Sequence, residues 1–381
     1  MCIIDRYLLR HFVQTFVICF LSLMGLWIVL EVTTNLQEFI RCGQKSGGVI
    51  SFIAQHYAYH SILLFHEFSG FLALVSAMFT ASWIQKHNEM TALMAAGIAR
   101  VRIVMPIIVA VVVVSVLSAA NRELLIPRYR NELSLNPKDP LGDHPQELAS
   151  CRDNQIDVEL AGKNTYANEK RIEEPNFHIR APALQEYGRR LVADKAVYCP
   201  PIGNRPGGYL LMGMHEPKNL DTRPSLSLGG TPVLITPRDA PDWLEPDQCF
   251  LKSDLDFDQL TGGSEFKKLA STPQLIAALR NPSLGYGADV RVAIHSRIVR
   301  PLLDITLLFL GLPLVVTRES RNVFLAIGMC IVLSTAFMLV VQGFQFLGEM
   351  SFPGVPPALA AWAPLMIFVP AAVGLAESMR K

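Results

Sequence analysis

Three histidines and a glutamate stand in an otherwise apolar stretch of the sequence, at His56, His60, His66 and Glu67. A helix would place His56 and His60 on one face because they are four residues apart, and paired imidazoles of this kind bind zinc. The stretch is not the HExxH motif of zinc hydrolases, since the residue four positions after His66 is Gly70. We therefore expect no metal and favour polar contacts between helices or, for His56 and His60, a position at the membrane interface. A membrane-embedded metallohydrolase that uses these histidines is the alternative.

Other residues that could do chemistry are isolated. Asp304 is a carboxyl group within an apolar segment, where an ionisable side chain usually faces the interior of a helical bundle or a cavity. The seven cysteines form no CxxC pair and no cluster with histidine, which argues against a zinc site and a redox dithiol. Cys151, Cys199 and Cys249 share a polar part of the chain, and we favour unpaired thiols there over a disulfide.

The sequence lacks a nucleotide-binding loop. The phosphate-binding motif GxxxxGK[ST] needs Ser or Thr after its lysine and a second glycine upstream. Gly162-Lys163 is followed by Asn164 and has no such upstream glycine. We expect neither a bound nucleotide nor any other cofactor in this chain.

Composition points to a membrane protein. Hydrophobic residues make up 51% and charged residues 18% of the 381 positions, whereas a soluble domain carries about 25% charged residues. The formal net charge is +1, so the chain has no basic excess for nucleic-acid phosphates, and we exclude nucleic acid as a partner. Most charges lie between Arg122 and Arg291, so that a polar block separates two apolar blocks.

Six apolar segments are long enough to cross a bilayer, which takes about 20 residues of helix. They are Phe12 to Val32, Ser61 to Ile84, Ile103 to Ala120, Val299 to Val316, Val323 to Phe346 and Ala358 to Leu375. Loops on the cytoplasmic side of a membrane carry most of the basic residues that flank the spans. This pattern is met when both termini of the chain are placed in the cytoplasm, so we predict that orientation. The predicted domains are residues 1–122 with three spans, a polar domain at 123–290 outside the cytoplasm, and residues 291–381 with three more spans.

Short alternating runs in the polar block predict an all-β domain, either a sandwich or jelly-roll-like. The runs lie at 177–180, 191–198, 209–212 and 232–235, and turn-rich stretches separate them. In the second run, Val192, Ala196 and Tyr198 are expected to point inward, as core or as the lining of a groove. Near the end of the block, STPQLIAALR (271–280) predicts a short helix with Ser271 or Thr272 as its cap and Pro273 in its first turn.

The segment between the second and third predicted spans carries small residues in a helical pattern. Asn88 can cap this helix, Ala92, Ala95 and Ala96 lie along one side, and Gly97 ends it. Small residues let another protein approach closely, and Glu89 in the first turn can meet an arginine of a partner. The alternative is an ordinary connecting helix on the membrane surface.

Four segments carry a family resemblance. They read DRYLLRHFVQTF (5–16), NEMTALMAAGIAR (88–100), NRELLIPRYR (121–130) and HSRIVRPLLDITLLFLGLPLVV (295–316). The sequence resembles the LptF/LptG (YjgP/YjgQ) family, the permease subunits of the bacterial lipopolysaccharide-export ABC transporter. The segments are similar to its N-terminus, its cytoplasmic coupling helix, its exit from the third span and its fourth span. The chain departs from the family at HSILLFHEFSG (60–70), where proline is frequent, and at Ala293, where glutamate is frequent.

The resemblance implies an inner-membrane permease half with no catalysis of its own. Its implied partners are a cytoplasmic ABC ATPase dimer, a second permease subunit of the same family, a periplasmic β-bridge protein and lipopolysaccharide. Residues that would face the ATPase are Glu89, Ala92, Ala95, Ala96, Gly97 and Arg100. A third interpretation, a structural membrane anchor that presents a periplasmic binding domain, uses none of them.

Basic residues at the outer ends of two spans are candidates for contact with lipid phosphates. Arg41 and Lys45 follow the first span, and Arg297 and Arg300 precede the apolar part of the fourth. The resemblance favours Arg41 and Lys45, and the alternative is that all four only reach for the membrane surface. Removing one 14-carbon chain from a bilayer costs about 10 kcal/mol at roughly 0.8 kcal/mol per methylene. Because this chain lacks a nucleotide site, the energy must come from a partner.

Overall fold

Long helices form the first and last thirds of the chain, and short strands form the middle. The structure is a computed structural model that describes residues 3–45, 48–134, 146–148, 150–166, 169–202, 205–316, 323–350 and 355–377. The chain divides into a helical unit, Met1–Leu133 with Ala288–Lys381, and a β unit, Ser134–Gly287.

The helices occur in both units. In chain order they are α1 (Ile3–Thr34), α2 (Leu36–Lys45), α3 (Val49–Lys86), α4 (Glu89–Ala95), α5 (Arg100–Ala120), α6 (Ile126–Arg128), α7 (Arg130–Leu133), α8 (Phe257–Leu269), α9 (Thr272–Arg280), α10 (Ala288–Val316), α11 (Val323–Glu349) and α12 (Pro357–Glu377).

Five helical stretches in the described part of the chain are long and apolar enough to cross a membrane. They are Ile3–Thr34, Val49–Lys86, Arg100–Arg128, Gly328–Glu349 and Pro357–Glu377. The predicted fourth span, Val299 to Val316, forms the second half of the continuous helix α10. Each of the six predicted spans is therefore helical, and that the fourth crosses a membrane stays a prediction.

The helical unit extends beyond the predicted end of the third span. Instead of ending at Ala120, the chain continues as a π-helical turn over Asn121–Leu125 and then as α6 and α7. Pro127 lies in the first turn of α6, a position where proline is tolerated. The division between the units falls after Leu133, not after residue 122, and the second division falls before Ala288, where α10 begins.

Helix α3 lies at the centre of the helical unit. Its buried side carries small residues at intervals of three or four, among them Gly70, Ala73, Ala77 and Ala81. This spacing lets neighbouring helices approach closely. At Gly70 an added Cβ would collide with the Asp304 carboxylate of α10, so only glycine fits between the two helices.

Eleven described strands form the β unit. They are β1 (Gln146–Glu147), β2 (Cys151–Asp153), β3 (Val158–Leu160), β4 (Asn164–Tyr166), β5 (Arg171–Glu173), β6 (Asn176–Ile179), β7 (Arg190–Cys199), β8 (Gly208–Glu216), β9 (Leu226–Leu228), β10 (Thr231–Ile235) and β11 (Gln248–Lys252). All pairings are antiparallel, in the order β1-β4-β5-β7-β8-β11-β10-β9, with a branch β2-β3-β6 that joins β7.

The branch arises at β7. One edge of β7 pairs with β8, and its other edge pairs with β6 near Val192 and with β5 near Val197. Pro175, between β5 and β6, has no N–H for the ladder and separates the two short strands. The prediction of a β domain is thus confirmed, the domain is a branched antiparallel sheet, and the jelly-roll assignment stays a prediction.

The sequence patterns of strands and helix caps predicted part of the secondary structure of the β unit. All four predicted runs overlap strands, and the predicted helix is α9, in which Ser271 Oγ accepts from the Gln274 N–H at 3.4 Å. Helix α8, which has its own capping box from Asp256 to Gln259, was not predicted. The inward set was partly wrong: Ala196 is buried, but Val192 and Tyr198 are only partly buried, and Leu191 and Ala193 are buried instead.

The three cysteines of the β unit are free thiols. Cys151 and Cys199 are partly exposed, and Cys249 is fully buried. Burial raises the pKa of Cys249 to about 12, which keeps it protonated and unreactive at neutral pH. In the described structure the expectation of unpaired thiols is therefore met at all three positions.

Candidate functional site

The segment between α3 and α5 is a single short helix, α4, with a defined stop. Gly97 follows the helix with φ of 84°, a left-handed conformation that glycine adopts without strain. Its N–H donates to the Met94 carbonyl at 2.9 Å, and the Ile98 N–H donates to the Leu93 carbonyl at 3.1 Å. These two bonds form a Schellman motif. The prediction that Gly97 ends this helix is confirmed.

The start of α4 differs from the prediction. Asn88 does occupy the N-cap position, but its side chain makes no capping hydrogen bond. Its backbone is left-handed, with φ of 62°, whereas a capping side chain reaches the first turn from an extended backbone. Asn88 therefore serves as a left-handed turn residue between α3 and α4.

One side of α4 and the following turn presents a surface almost without side chains. We call it the small-residue surface; it consists of Thr91, Ala92, Ala95, Ala96 and Gly97, all exposed. Met90, on the opposite side, is buried in the core of the helical unit. A partner can therefore approach the backbone of α4 closely while Met90 anchors the helix.

Glu89 lies at the edge of this surface and is held by α1. The Tyr7 hydroxyl donates to Glu89 Oε1 at 3.2 Å. Tyr7 also packs edge-on against His11, with ring centroids 4.6 Å apart. Nearby in the chain, the rings of Trp83 and His87 at the end of α3 have centroids 4.4 Å apart. The Tyr7 hydrogen bond thus links the Glu89 carboxylate to the first turns of α1.

Arg100 does not belong to α4, because the predicted helix over 88–100 is two elements. Arg100 is the first residue of α5, and its Nε donates to Met94 Sδ of α4 at 3.1 Å. Two residues later, Arg102 forms an ion pair with Asp5 of α1 at 3.1 Å. These contacts join α4 and α1 to the same end of α5.

The predicted lipid residues Arg41 and Lys45 lie on α2. Phe39 and Cys42 are buried on one side of this helix, and Arg41 is exposed, 3.9 Å from Glu38. Such a loose exposed pair holds an arginine only weakly, so Arg41 can turn to a ligand. Lys45 is the last residue of α2, and its side chain lies outside the described part of the structure.

Arg297 and Arg300 lie one turn apart on α10. The Arg300 guanidinium donates to the carbonyl oxygens of His66 and Glu67 at 3.2 and 2.9 Å and lies 3.7 Å from the Glu67 carboxylate. Arg300 therefore fastens α10 to the middle of α3. This contact differs from the alternative interpretation, in which the Arg300 side chain only extends to the membrane surface.

A polar cluster crosses the interior of the helical unit beside this contact. Ser69 Oγ donates to Ser118 Oγ at 2.8 Å, and Ser118 Oγ lies 3.3 Å from His66 Nδ1. Ser115 Oγ donates to the buried Asp304 carboxylate at 3.3 Å. His66 and Asp304 thus make polar contacts between helices, as the sequence analysis favours.

His56 and His60 belong to a different cluster. The centroids of their two rings lie 4.2 Å apart. The His60 ring stacks on Trp27 with centroids 5.8 Å apart, and the His56 ring packs edge-on against Phe39 with centroids 5.4 Å apart. Among the described residues, no group of three or more His, Cys, Asp or Glu is arranged to hold a metal ion. The three histidines therefore do not converge as the metallohydrolase alternative requires.

The family model of the lipopolysaccharide export system permease LptF/LptG matches residues 6–138 and 247–377. The two matched ranges together span more than half of the chain. The chain belongs to this family. No curated protein is similar enough to match it.

The match to the LptF/LptG family includes every predicted site residue. The small-residue surface, Arg41, Lys45, Arg297 and Arg300 all lie inside the matched ranges. Residues 139–246, which hold strands β1 to β10, lie outside them. The helical unit therefore carries most of the family signature.

Sequence reasoning missed Arg122 as a functional candidate. The sequence analysis notes it as the start of the polar block and as part of the segment 121–130 but assigns it no role, yet it is 7% exposed and its Nη1 has no hydrogen-bond partner. The available signal was an arginine two residues after the apolar run that ends at Ala120. Only the π-helical turn shows that this arginine faces inward.

Proposed function

We propose that this chain is a permease subunit that couples ATP hydrolysis by a partner ATPase to the extraction of lipopolysaccharide from the inner membrane. The observation that carries the proposal is the small-residue surface on α4, with Glu89 fixed at its edge, in a member of the LptF/LptG family. The chain performs no covalent chemistry in this role.

The docking surface consists of Glu89, Ala92, Ala95, Ala96 and Gly97, with Arg100 behind it. Glu89 pairs with an arginine of the ATPase, and the absence of long side chains lets the ATPase contact the backbone of α4. Tyr7, Met94 and Arg102 link this surface to α1 and α5. Because α4 is braced on both sides, movement of the ATPase is passed to the helices as a rigid shift.

The proposed topology has six spans with both termini in the cytoplasm. Five apolar helical stretches and the continuous helix α10 support six spans, and the excess of basic residues beside α4 supports a cytoplasmic loop there. The β unit then lies in the periplasm, where it hands the lipid to a β-bridge protein. A second permease subunit of the family completes the path for the lipid.

Lipid binding is proposed for the outer ends of the spans. Arg41 and Lys45 on α2, and Arg297 and Arg300 on α10, supply positive charge to a phosphorylated sugar. Acyl chains cannot leave the bilayer unaided, since each 14-carbon chain costs about 10 kcal/mol. Because of this cost, the proposal includes a partner ATPase as the source of energy.

The test is co-purification of the tagged full-length chain with an ABC ATPase, followed by ATP-dependent release of lipopolysaccharide from proteoliposomes. Glu89→Lys is expected to abolish both. Glu377→Lys, a charge reversal at an exposed residue at the end of α12, is the control and is expected to abolish neither. Full export with Glu89→Lys would contradict the docking role and favour the structural anchor.

The topology has its own test. Single cysteines placed at exposed sites of the β unit in a background without other cysteines are expected to react with a membrane-impermeant maleimide in intact spheroplasts. A cysteine at Ala92 is expected to react only after the membrane is opened. The reverse pattern would overturn the proposed orientation.

A further inference from the structure

We propose that the helical unit contains a binding site for a primary ammonium group, formed by the Glu31 carboxylate, the Tyr57 hydroxyl and the Trp27 ring. The site lies where the end of α1 packs against α3. It goes beyond the proposed function, which places only positive protein charges against the lipid, because an amine is a ligand of the opposite sign. The site depends on contacts inside the helical unit alone, so it can stand or fail independently of ATPase docking.

Glu31 lies in the last turn of α1, which ends at Thr34. This turn carries no basic residue, and the Oε2 atom of Glu31 is buried without a hydrogen-bond partner among the described residues. The carbonyl end of a helix is its negative end, where a carboxylate is disfavoured and a cation is favoured. Because a buried charged group without a partner is costly, this carboxylate calls for a cation from outside the described chain.

The Tyr57 hydroxyl lies beside the Glu31 carboxylate. Glu31 acts electrostatically on Tyr57, whose side chain is almost fully buried at 2% exposure. The hydroxyl nevertheless has no hydrogen-bond partner in the described structure, whereas a buried tyrosine usually finds one. Two unpartnered oxygens on neighbouring helices can therefore both accept from one donor group between them.

Aromatic rings surround these oxygens. Trp27 precedes Glu31 by four residues, so both lie on one face of α1, and the Trp27 and Tyr57 rings meet edge to face with centroids 5.5 Å apart. The face of a tryptophan ring attracts an organic cation within about 6 Å. A metal ion needs several oxygen or nitrogen ligands instead, and the described residues contain no group of three or more His, Cys, Asp or Glu arranged to hold one. The surroundings thus favour an organic cation.

His60 helps to hold the Trp27 ring in place. The two rings stack with centroids 5.8 Å apart. His60 is itself fixed, since its Nδ1 lies 3.1 Å from the His56 carbonyl oxygen, and a carbonyl oxygen only accepts, so this nitrogen donates. A site whose walls are held by packing and hydrogen bonds loses less conformational entropy when it binds a ligand.

A primary ammonium group is the cation that fits. It carries three N–H donors, so it can donate to Glu31 Oε2 and to the Tyr57 hydroxyl at once while it lies near the Trp27 ring. A quaternary ammonium group carries the same charge but no N–H, and it would leave both oxygens without a hydrogen bond.

The site is reachable from the level of lipid headgroups. In the proposed topology the end of α1 lies at the outer membrane surface, and the side chains of Glu31 and Trp27 are only partly buried. An amine at the membrane surface can therefore enter between α1 and α3. A lipid headgroup and a free amine share this chemistry, and the experiment separates them.

The experiment measures the thermal unfolding midpoint of the delipidated full-length chain in detergent. Three additions are compared: free ethanolamine, mixed micelles with phosphatidylethanolamine, and mixed micelles with phosphatidylcholine. We expect the midpoint to rise with phosphatidylethanolamine and to stay constant with phosphatidylcholine, whose ammonium group is quaternary. A response to phosphatidylethanolamine alone identifies a lipid, and a response also to ethanolamine identifies the amine itself as a sufficient ligand.

Two variants and one control locate the site. Glu31→Gln is expected to weaken the apparent affinity about tenfold or more, because it removes a charge-assisted hydrogen bond, and without ligand it should unfold no earlier than the wild type. Tyr57→Phe removes one neutral hydrogen bond and should weaken binding about fivefold. Glu349→Gln changes an exposed carboxylate at the end of α11 and should bind as the wild type does.

Three results would overturn the proposal. The first is an equal response of the wild type to phosphatidylethanolamine and phosphatidylcholine, or a response to neither, as when a basic residue of a partner subunit pairs with Glu31. The second is an equal response in Glu31→Gln and Glu349→Gln. The third, which decides the matter if Glu31→Gln fails to fold, is unchanged affinity in Tyr57→Phe. An amine response in a chain that never captures an ATPase would keep this site and reject the proposed function.

Discussion

The two units of this protein treat buried charge in opposite ways. Asp153 in the β unit is fully buried, and its carboxylate accepts from Ser253 Oγ at 2.6 Å and from the Gln155 N–H at 3.0 Å. Asp304 in the helical unit is buried to a similar degree and accepts from Ser115 Oγ at 3.3 Å. The β unit therefore satisfies its interior carboxylate with short bonds, and the helical unit holds its own more loosely.

The surfaces of the two units also differ, in whether charged or apolar side chains are exposed. The β unit places ion pairs outside, such as Arg180 with Glu159 at 2.6 Å and Lys163 with Glu174 at 2.8 Å. The helical unit exposes apolar side chains along α1, α5, α11 and α12. The difference teaches that each unit is built for a different solvent: the surface of the β unit suits water, and the surface of the helical unit suits lipid.

The largest effect is expected in the core of the β unit. Tyr209 is fully buried, packs near Phe177 and donates to the Leu255 carbonyl at 3.1 Å. Tyr209→Ala should lower the free energy of unfolding by about 4 kcal/mol, because it removes an aromatic ring from a packed core. Tyr209→Phe, the control, loses only the hydrogen bond and should cost about 1 kcal/mol. Denaturant unfolding followed by circular dichroism measures both, and equal losses would show that this core is loosely packed.

A lysine introduced at an exposed aliphatic position of each unit should separate the two units. Val116 on α5 is 59% exposed and Ile202 in the β unit is 68% exposed. Val116→Lys should cost about 3 kcal/mol of membrane insertion, since the side chain meets lipid, whereas Ile202→Lys should change stability by less than about 0.5 kcal/mol. A translocon insertion assay measures the first and chemical unfolding the second. Tolerance of lysine at Val116 would show that this face of α5 meets water or a polar partner.

A smaller effect is expected where α3 meets α10. Gly70→Ala should destabilise the helical unit by about 1 to 3 kcal/mol, because the new methyl group collides with the Asp304 carboxylate. Asp304→Ala removes that collision, so the double variant should lose less than the sum of the single variants. Thermal unfolding in detergent tests this coupling. Strict additivity would mean that the two residues do not touch.

The smallest effect concerns a surface pair of the β unit. The Arg180 guanidinium holds the pKa of the Glu159 carboxyl below its usual range. A lowered pKa stabilises the folded state above the ordinary carboxyl pKa, and this contribution fades as pH falls through the lower folded value. Arg180→Gln should therefore raise the pKa of Glu159 and flatten the stability profile below about pH 5. A carboxyl NMR titration measures the shift, and an unchanged Glu159 pKa would show that the pair does not persist in solution.

Short-range signals in the sequence predicted much of the fold. Alternating runs predicted strands, Ser271 with Pro273 predicted α9, and Gly97 predicted the end of α4. These features depend on hydrogen bonds and side chains within a few residues, so the sequence contains what determines them. Helix α8 carries the same kind of capping signal at Asp256 and was overlooked.

Long-range features could not be predicted in this way. The branching of the sheet at β7 depends on strands far apart in the chain, and the left-handed Asn88 depends on how α3 and α4 pack. The candidate site divides along the same line: the small residues of α4 were visible in sequence, but their link through Tyr7 to α1 joins residues 82 positions apart.

By itself, the sequence determined that this is a membrane protein with helical spans, an inserted β domain and a short helix of small residues between the second and third spans, because hydropathy and local propensity act over one element at a time. Only the tertiary structure decided that Arg122 turns inward, that Arg300 fastens α10 to α3 and that the histidines separate into two clusters. The physical reason is that a side chain's partners are set by whichever helices pack around it, and packing joins residues that the sequence holds far apart.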